Sequence, residues 1–182
     1  MAQENKEIAA ILAVGPKNII GKGDKLAWHS KKDFDHFRDI TSGHPCLFGA
    51  TTFFGLPSYP LRNRLNIVLD NTQKKKVDIN KEGYITFKDI KDAYAFCSNY
   101  DKVFVCGGKS IYEYVYKNDL INTIYLTRIT SKDLIYEANN NLDDCVTLDI
   151  DFNSLTNWVC ASSSTIKEDD KEIKFLKYVK LK

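Results

Sequence analysis

The chain has 182 residues, a length that suits one globular domain, and 43% of them are hydrophobic, enough for an ordinary core. Its 26 Lys and Arg against 24 Asp and Glu leave a formal charge of +2, without the basic excess or stripe expected of a nucleic-acid binder. The run Lys74-Lys75-Lys76 and the Lys-rich C-terminus have acids close by and read as solvated faces. No apolar stretch is long enough to span a bilayer, and residues 8–14 lack the basic leader and cleavage-like site of a signal peptide. The expectation is a cytoplasmic protein with neither a membrane nor a nucleic-acid partner.

The five cysteines (Cys46, Cys97, Cys106, Cys145 and Cys160) form no C-x-x-C pair. Their odd number and wide spacing predict reduced thiols, buried as small hydrophobes in a reducing compartment. His29, His36 and His44 have no ligand-like partners in sequence, and no metal is expected.

In chain order, residues 8–14 form a nearly unbroken apolar run, as in a strand covered on both faces. Residues 15–25 are rich in Gly, Pro, Asn and Asp and predict a loop. A helix is expected from about Ser30, a good N-cap, to about Thr41, with Gly43 just past it. Residues 45–48 predict a short strand, and Gly49-Ala50-Thr51-Thr52 opens a second helix. Strands are expected at 65–69, ended by Asp70-Asn71, and at 84–87. Residues 89–98 have helical apolar spacing. Residues 103–106 form an apolar strand that runs into Gly107-Gly108, followed by a helix over 110–116. A long strand covers 121–129. Residues 156–165 and 171–180 read as two strands joined by the polar turn Lys167-Glu168-Asp169-Asp170. There is no repeat, low-complexity tract or linker.

Buried strands joined by helical crossovers predict an α/β sheet, parallel at its centre, with an antiparallel C-terminal hairpin at one edge. Such sheets bind ligands at the carboxyl ends of their strands. Four segments are therefore candidates: the loop after Val14, Gly49 to Thr52, Leu69 to Asn71, and Cys106 to Ser110.

Two of these could cradle a phosphate. Gly107-Gly108-Lys109-Ser110 follows a strand and opens a helix, so the backbone can approach a ligand closely and free N–H groups face an anion. Gly49-Ala50-Thr51-Thr52 has the same layout with two hydroxyls added. Neither is a G-x-G-x-x-G or a P-loop, so a tight strand–helix turn without ligand stands as the alternative. In the first helix, Phe34 and Phe37 mark the inward face, and Asp33 lies four residues before Phe37, on the same side. An acid on that apolar edge would be partly desolvated, its pKa raised, and suited to hydrogen-bonding a donor-rich ring and influencing its protonation. The alternative is an acid that merely occupies the first turn, where the helix dipole favours it.

Five segments in order resemble the dihydrofolate reductase family: Ala13-Val14 with Asn18-Ile19-Ile20-Gly21 and Leu26-x-Trp28, Asp33 and Phe37; Pro45-Cys46-Leu47-Phe48-Gly49-x-x-Thr52-Phe53; Leu61-x-x-Arg64-x-Asn66-Ile67-Val68-Leu69; Val103-Phe104-Val105-Cys106-Gly107-Gly108-x-x-Ile111-Tyr112; and Tyr125-Leu126-Thr127-Arg128-Ile129. The resemblance implies a single-domain fold over 1–182 with a mostly parallel eight-stranded sheet, its adenosine-binding part at roughly 44–101. It implies a monomeric, NADPH-dependent oxidoreductase that reduces 7,8-dihydrofolate to 5,6,7,8-tetrahydrofolate for one-carbon metabolism and thymidylate supply, and that binds antifolates.

By the same resemblance, Asp33 is the active-site acid that favours protonation of pterin N5. Trp28 and Thr127 orient the carboxylate and an ordered water. Ala13, Phe34, Phe37, Leu56, Leu61 and Cys106 line the substrate site, and Arg64 clamps the glutamate-tail carboxylate, a bidentate task suited to guanidinium. Ala13, Ile20, Gly21 and Tyr112 neighbour the nicotinamide end of the cofactor. Gly49, Ala50, Thr51, Thr52, Leu69, Asp70, Asn71, Gly107, Gly108, Lys109, Ser110 and Ile111 hold the rest of it, with Gly107-Gly108 joined by a cis bond. Residues 15–30 resemble the mobile loop that closes over the cofactor.

The departures from the family are informative. Ala27 stands where a proline usually precedes the tryptophan. Ala50 replaces an arginine that helps hold the 2′-phosphate of NADPH. Asp70-Asn71 replace small hydroxyl residues, and Ser110 stands where a basic or polar contact often sits. An acid near a ribose bonds a free 2′-hydroxyl and repels a 2′-phosphate, so use of NADH is a second expectation. Against it, Lys74, Lys75 or Lys76 could supply the missing charge. Residues 144–151 resemble the family's acidic loop only loosely, and Asp144 is given no role. Three other functions compete: a same-fold reductase of a pyrimidine intermediate in riboflavin synthesis, a folate binder without turnover, and a nucleic-acid-binding module. Trp28, Asp33, Phe37 and Arg64 disfavour the first, a complete pterin pocket with both glycine turns disfavours the second, and the third has only scattered lysines in its favour.

Overall fold

The computed structural model describes residues 6–72 and 79–182. Its elements are β1 (Glu7–Val14), β2 (Ile19–Lys22), α1 (Lys31–Thr41), β3 (Pro45–Gly49), α2 (Ala50–Phe54), β4 (Leu65–Leu69), α3 (Ile79–Glu82), β5 (Tyr84–Phe87), α4 (Ile90–Phe96), β6 (Lys102–Val105), α5 (Lys109–Lys117), β7 (Thr123–Thr130), α6 (Lys132–Asn140), β8 (Cys145–Thr147), β9 (Trp158–Glu168) and β10 (Lys171–Lys180). Eight strands form one sheet in the order β5-β4-β3-β6-β1-β7-β10-β9, and β2 pairs with β8 in a two-stranded sheet of its own. Every pairing from β5 through β7 is parallel, whereas β10 runs antiparallel to both β7 and β9. The parallel strands need helical crossovers, and these cover both faces of the sheet.

The pleat sorts the core into two sides. From β1, Ala10, Leu12 and Val14 pack with Ile124 and Leu126 of β7, under Ile90 and Ala93 of α4 and Tyr112 and Val115 of α5. Ala9 and Ile11 face the other way, toward Cys46, Phe48, Phe53, Phe104 and Cys106 beside Phe37 and Ile40 of α1. At the hairpin end of that second side, Trp28 packs with Ile129, Leu134 and Ile173. Burial on both faces is why β1 reads as an unbroken apolar run. Among the described residues no helix is long and apolar enough to cross a membrane.

Four expectations need correction. The loop over 15–25 contains β2, held by pairing with β8 rather than by its own pattern. The poorly matched region after Ile129 contains α6, which Ser131 caps by accepting the Leu134 amide at 3.2 Å. The hairpin turn is only Asp169-Asp170, because Lys167 and Glu168 stay in β9, paired with Glu172 and Lys171. The cysteines are all free, but Cys160 is exposed and Cys145 half-buried, so only Cys46, Cys97 and Cys106 are core thiols.

Candidate functional site

The parallel strands end along one edge of the sheet, and the site is built there. At the start of α1 the Ser30 hydroxyl accepts the Asp33 amide at 3.1 Å, which sets the register that puts Asp33 on the first turn. Asp33 is half-buried. Burial pushes its carboxyl up to about 6; the Trp28 and Thr127 side chains oppose the rise, and the negative charge of Glu168 adds to it. The Trp28 indole N–H is buried yet makes no hydrogen bond of full geometry among the described residues. It is a single donor beside the Asp33 carboxylate, and a buried donor favours a carboxylate or water that can accept from it. Thr127 is buried on β7, opposite Ala13 of β1 and Phe175 of β10.

Around Asp33 the structure gathers most of the expected substrate-side residues. Phe37, Leu56 and Leu61 are partly buried against the cluster that holds Cys106. The Arg64 guanidinium stacks over the Phe37 ring at 5.9 Å and donates to the Thr41 hydroxyl at 3.3 Å and the Arg62 carbonyl at 2.8 Å. No acid among the described residues pairs with it, so its charge is free to meet an anion. Phe34 departs from expectation. It is 42% exposed, with the His29 ring at 5.7 Å, and does not enter the core as Phe37 does.

The second half of the site is a cleft of about 840 Å³, within the range of small-molecule pockets. Gly49, Ala50, Thr51 and Thr52 after β3, Leu69, Asp70 and Asn71 after β4, and Gly108, Lys109, Ser110 and Ile111 after β6 all line it. Gly107-Gly108 is a cis peptide, and Gly107 has φ +119. The other expected cofactor residues lie off this cleft. Ala13 packs beside Trp28, Ile20 sits against the core on the α5 side, and Gly21 runs close to the Lys25 carbonyl. Tyr112 is buried, donates to the Ile11 carbonyl at 2.7 Å, and has its ring against Gly107. Burial pushes the Tyr112 phenol well above its usual range, and the nearby Cys106 and Asp33 raise it further.

Thr72, Lys88, Asp89, Ile90, Glu113 and Tyr114 also line the cleft and were missed from sequence. The signal for three of them was available: residues 84–87 read as a strand, and the carboxyl-end rule applied there points straight to Lys88, Asp89 and Ile90. Glu113 and Tyr114 carry no such signal, since they lie a full turn inside α5.

The cleft passes a test of fit for a dinucleotide. Its walls come closest where side chains are absent. A Cβ on Gly108 would lie 2.6 Å from Thr52 Oγ1, and one on Gly49 would lie 3.3 Å from Ile111 Cγ1. The first turn of α5 has no capping side chain, leaving amides free for phosphate oxygens. Among the described residues no cluster of His, Cys, Asp and Glu could hold a metal ion.

A glycine-walled cleft with free helix amides at the carboxyl edge of a largely parallel α/β sheet is the arrangement of a nucleotide-binding enzyme. The profile of the dihydrofolate reductase family matches residues 7–181, and the chain belongs to that family. It is 30% identical over 176 residues to the dihydrofolate reductase of Bacillus subtilis, covering 95% of this chain and 94% of that one. It is 32% identical over 126 residues to the bifunctional dihydrofolate reductase-thymidylate synthase of Paramecium tetraurelia, covering 69% of this chain but 26% of that protein. In fold it is similar to Enterococcus faecalis dihydrofolate reductase solved with NADP(H) and RAB-propyl, with a TM-score of 0.77 at 20% identity over 97% of both chains. Reduction of 7,8-dihydrofolate to tetrahydrofolate with NADPH is the reaction that membership assigns to the chain.

Proposed function

We propose that the chain carries out this reduction at Asp33, with dihydrofolate between α1 and the segment from Leu56 to Arg64, and NADPH along the cleft. The observation that carries the reading is a half-buried carboxyl raised to about 6 on the first turn of α1, with the Trp28 and Thr127 side chains beside it. A carboxyl poised near neutrality hydrogen-bonds the pterin and makes protonation of N5 easier, while Trp28 and Thr127 hold the carboxylate and an intervening water in line. Bound NADPH supplies the hydride. Phe34, Phe37, Leu56, Leu61 and Cys106 wall the pterin and benzoyl rings, so the exposed face of Phe34 is ligand surface. Arg64 meets the glutamate-tail carboxylate. Ala13, Ile20, Gly21 and Tyr112 serve the nicotinamide end, and residues 44–101 carry most of the adenosine end.

The 2′-phosphate needs a cation that Ala50 does not provide. Lys74, Lys75 and Lys76, considered for that task, lie outside the described residues. Of the two lysines in the cleft, Lys109 is already held by Glu113 at 2.5 Å and by the Thr147 carbonyl at 2.6 Å. Lys88 makes no ion pair or hydrogen bond among the described residues and is the cation we assign to the phosphate. Asp70 stands near it, since the Asp70 amide donates to the Phe87 carbonyl at 2.9 Å. NADPH is thus the principal donor, and Asp70 gives NADH a foothold. The site is complete within one chain, as a monomer requires, and five free thiols suit the cytoplasm.

The test follows cofactor absorbance with dihydrofolate for the native chain and Asp33→Asn. Oxidation that depends on dihydrofolate and collapses in the variant supports the reading. Folate binding without oxidation of either cofactor would overturn it and leave a binder or a reductase of another substrate.

A further inference from the structure

The C-terminal hairpin reaches the same edge of the sheet as the site. β10 opens opposite the last residue of β7, Glu172 against Thr130, so the Asp169-Asp170 turn hangs beside the start of α1. Two bonds tie it there. The Lys32 amide donates to Glu168 Oε1 at 3.0 Å, and the Lys32 ammonium donates to the Lys167 carbonyl at 3.0 Å. The other Glu168 oxygen is buried without a hydrogen bond of full geometry among the described residues.

The helix start explains what Glu168 does. Ser30-Lys31-Lys32-Asp33 has the spacing of a capping box, in which the acid at the third helical position turns back to the N-cap amide. Half of that box forms: the Ser30 hydroxyl takes the Asp33 amide. The return bond from Asp33 does not form among the described residues. An acid from a strand more than 130 residues away in sequence accepts a different first-turn donor, the Lys32 amide. The first turn is thus held from the hairpin, and the Asp33 carboxylate, which makes no capping bond among the described residues, is left for the pocket.

The charges around Asp33 are few. On α1, Lys31 is paired with Asp35 at 2.6 Å, and the Lys32 ammonium is on the hairpin carbonyl. On the hairpin, Lys171 is paired with Asp170 at 3.5 Å. His29 lies on the preceding loop against Phe34. From α5 comes the neutral phenol of Tyr112, with the buried Cys106 thiol beside it. Trp28, Ala13 and Thr127 contribute no charge. Glu168 is the anion that faces Asp33 across the helix start. It stays ionised because the Ser30 hydroxyl, the α1 amides and Lys171 hold its carboxyl low.

We propose that Glu168 is a positioning residue for the active-site acid: through the Lys32 amide it ties the C-terminal hairpin to the first turn of α1, and it sets its own negative charge across that turn from the Asp33 carboxylate. The proposal rests on Asp33 being that acid.

The experiment is single-turnover hydride transfer from NADPH to dihydrofolate across pH 5–9, with the full chain, for the native protein, Glu168→Gln and Glu168→Asp. It is paired with a carbon-13 titration of the Asp33 carboxyl, assigned through Asp33→Asn. Removing one nearby anion should lower the Asp33 midpoint by roughly half a pH unit in both readouts, with the low-pH plateau within about twofold of native. Glu168→Asp, which keeps the charge, should stay near the native midpoint. An unmoved midpoint in Glu168→Gln overturns the proposal, whether or not activity falls. If Glu168→Gln does not fold, the native midpoint should drop as salt rises from about 0.05 to about 1 M, and a midpoint indifferent to salt overturns it. Failure of the enzyme reading would show separately, as full turnover in Asp33→Asn, while the carbon-13 titration still reports on Glu168.

Discussion

The Gly49 amide donates to the Gly107 carbonyl at 2.8 Å, so the two glycine turns that end β3 and β6 form one continuous wall of the cofactor cleft. A side chain on that wall is costly to different degrees. On Gly108 a Cβ would overlap Thr52 Oγ1 at 2.6 Å, closer than real Cβ contacts come, whereas on Gly49 it would lie 3.3 Å from the Ile111 Cγ1, a contact that a shift of a few tenths of an ångström relieves. Gly108→Ala is expected to raise the NADPH KM at least tenfold, with an overpacking cost of about 1–3 kcal/mol, and Gly49→Ala to do far less. Adding Thr52→Ala to Gly108→Ala should recover part of the loss. Equal KM values for the two glycine variants would contradict the wall as drawn.

Asp33→Asn is expected to do opposite things to activity and stability. The Asp33 carboxyl is raised from 3.8 to about 6 in the folded chain, so the unfolded chain loses this proton first as pH rises. The stabilising preference of the fold for the proton is complete below about pH 4 and is lost as pH climbs through about 6. At neutral pH the ionised acid therefore costs the fold on the order of 1–3 kcal/mol, which Asn avoids. Thermal unfolding should show a higher Tm for the variant at pH 7.5 and no gain at pH 3.5, while hydride transfer falls about a hundredfold or more. In the native protein, transfer should decline as pH rises through about 6. A variant of lower Tm at pH 7.5 would mean that Asp33 is held by bonds stronger than its burial penalty.

How far the sequence carries differs from one element to the next. β4 (Leu65–Leu69) and β5 (Tyr84–Phe87) fall where their apolar runs begin and end, because those strands depend on local pattern and on turn residues that follow them. β2 and β8 are legible only together. Each is a few residues of unremarkable composition whose reason to be extended is the other. α6 was legible in principle, from Ser131 with Asp133 in the first turn and Leu134 and Ala138 one turn apart, and was obscured by the poor resemblance of that region. In the site, the glycine turns and Asp33 announce themselves by residue type. Lys88 and Glu168 do not, since a surface lysine and a hairpin glutamate acquire meaning only from what the fold sets against them.

The cysteines should react in an order set by access. Cys160 is exposed and Cys145 half-buried, while burial pushes the Cys97 thiol up to about 11 and the Cys106 thiol well above its ordinary range. Thiolate is the reactive form, so buried thiols are doubly protected. Titration of the native protein with an aromatic disulfide at pH 8 should show one fast thiol, removed by Cys160→Ser, and a slower second from Cys145. Cys46, Cys97 and Cys106 should react only on unfolding. Fast loss of a third thiol would show that the strands holding Cys46 and Cys106 open far more readily than their packing implies.

Cofactor choice should turn on Asp70 and Lys88, which with Asp89 are the cleft charges without an ion-pair partner among the described residues; the Asp89 carboxylate is committed to the Lys91 amide at the start of α4. The Asp70 carboxylate accepts the Thr72 amide at 2.8 Å and its hydroxyl at 2.7 Å through Oδ1, and these bonds hold its pKa below the usual carboxylate range, so it is ionised at working pH. Its other oxygen suits a ribose 2′-hydroxyl and repels a 2′-phosphate; the Lys88 ammonium does the reverse. Lys88 is exposed and Asp70 only half-buried, so each effect is screened and moderate. Lys88→Met is expected to raise the NADPH KM roughly tenfold and leave the NADH KM within about twofold. Asp70→Ser should lower the NADPH KM and raise that for NADH. Calorimetry with 2′,5′-ADP and 5′-ADP reads the same preference without turnover: Lys88→Met should lose affinity for the first and keep it for the second. If both ligands weaken equally in Lys88→Met, the lysine serves the shared diphosphate and the 2′-phosphate must find its cation elsewhere.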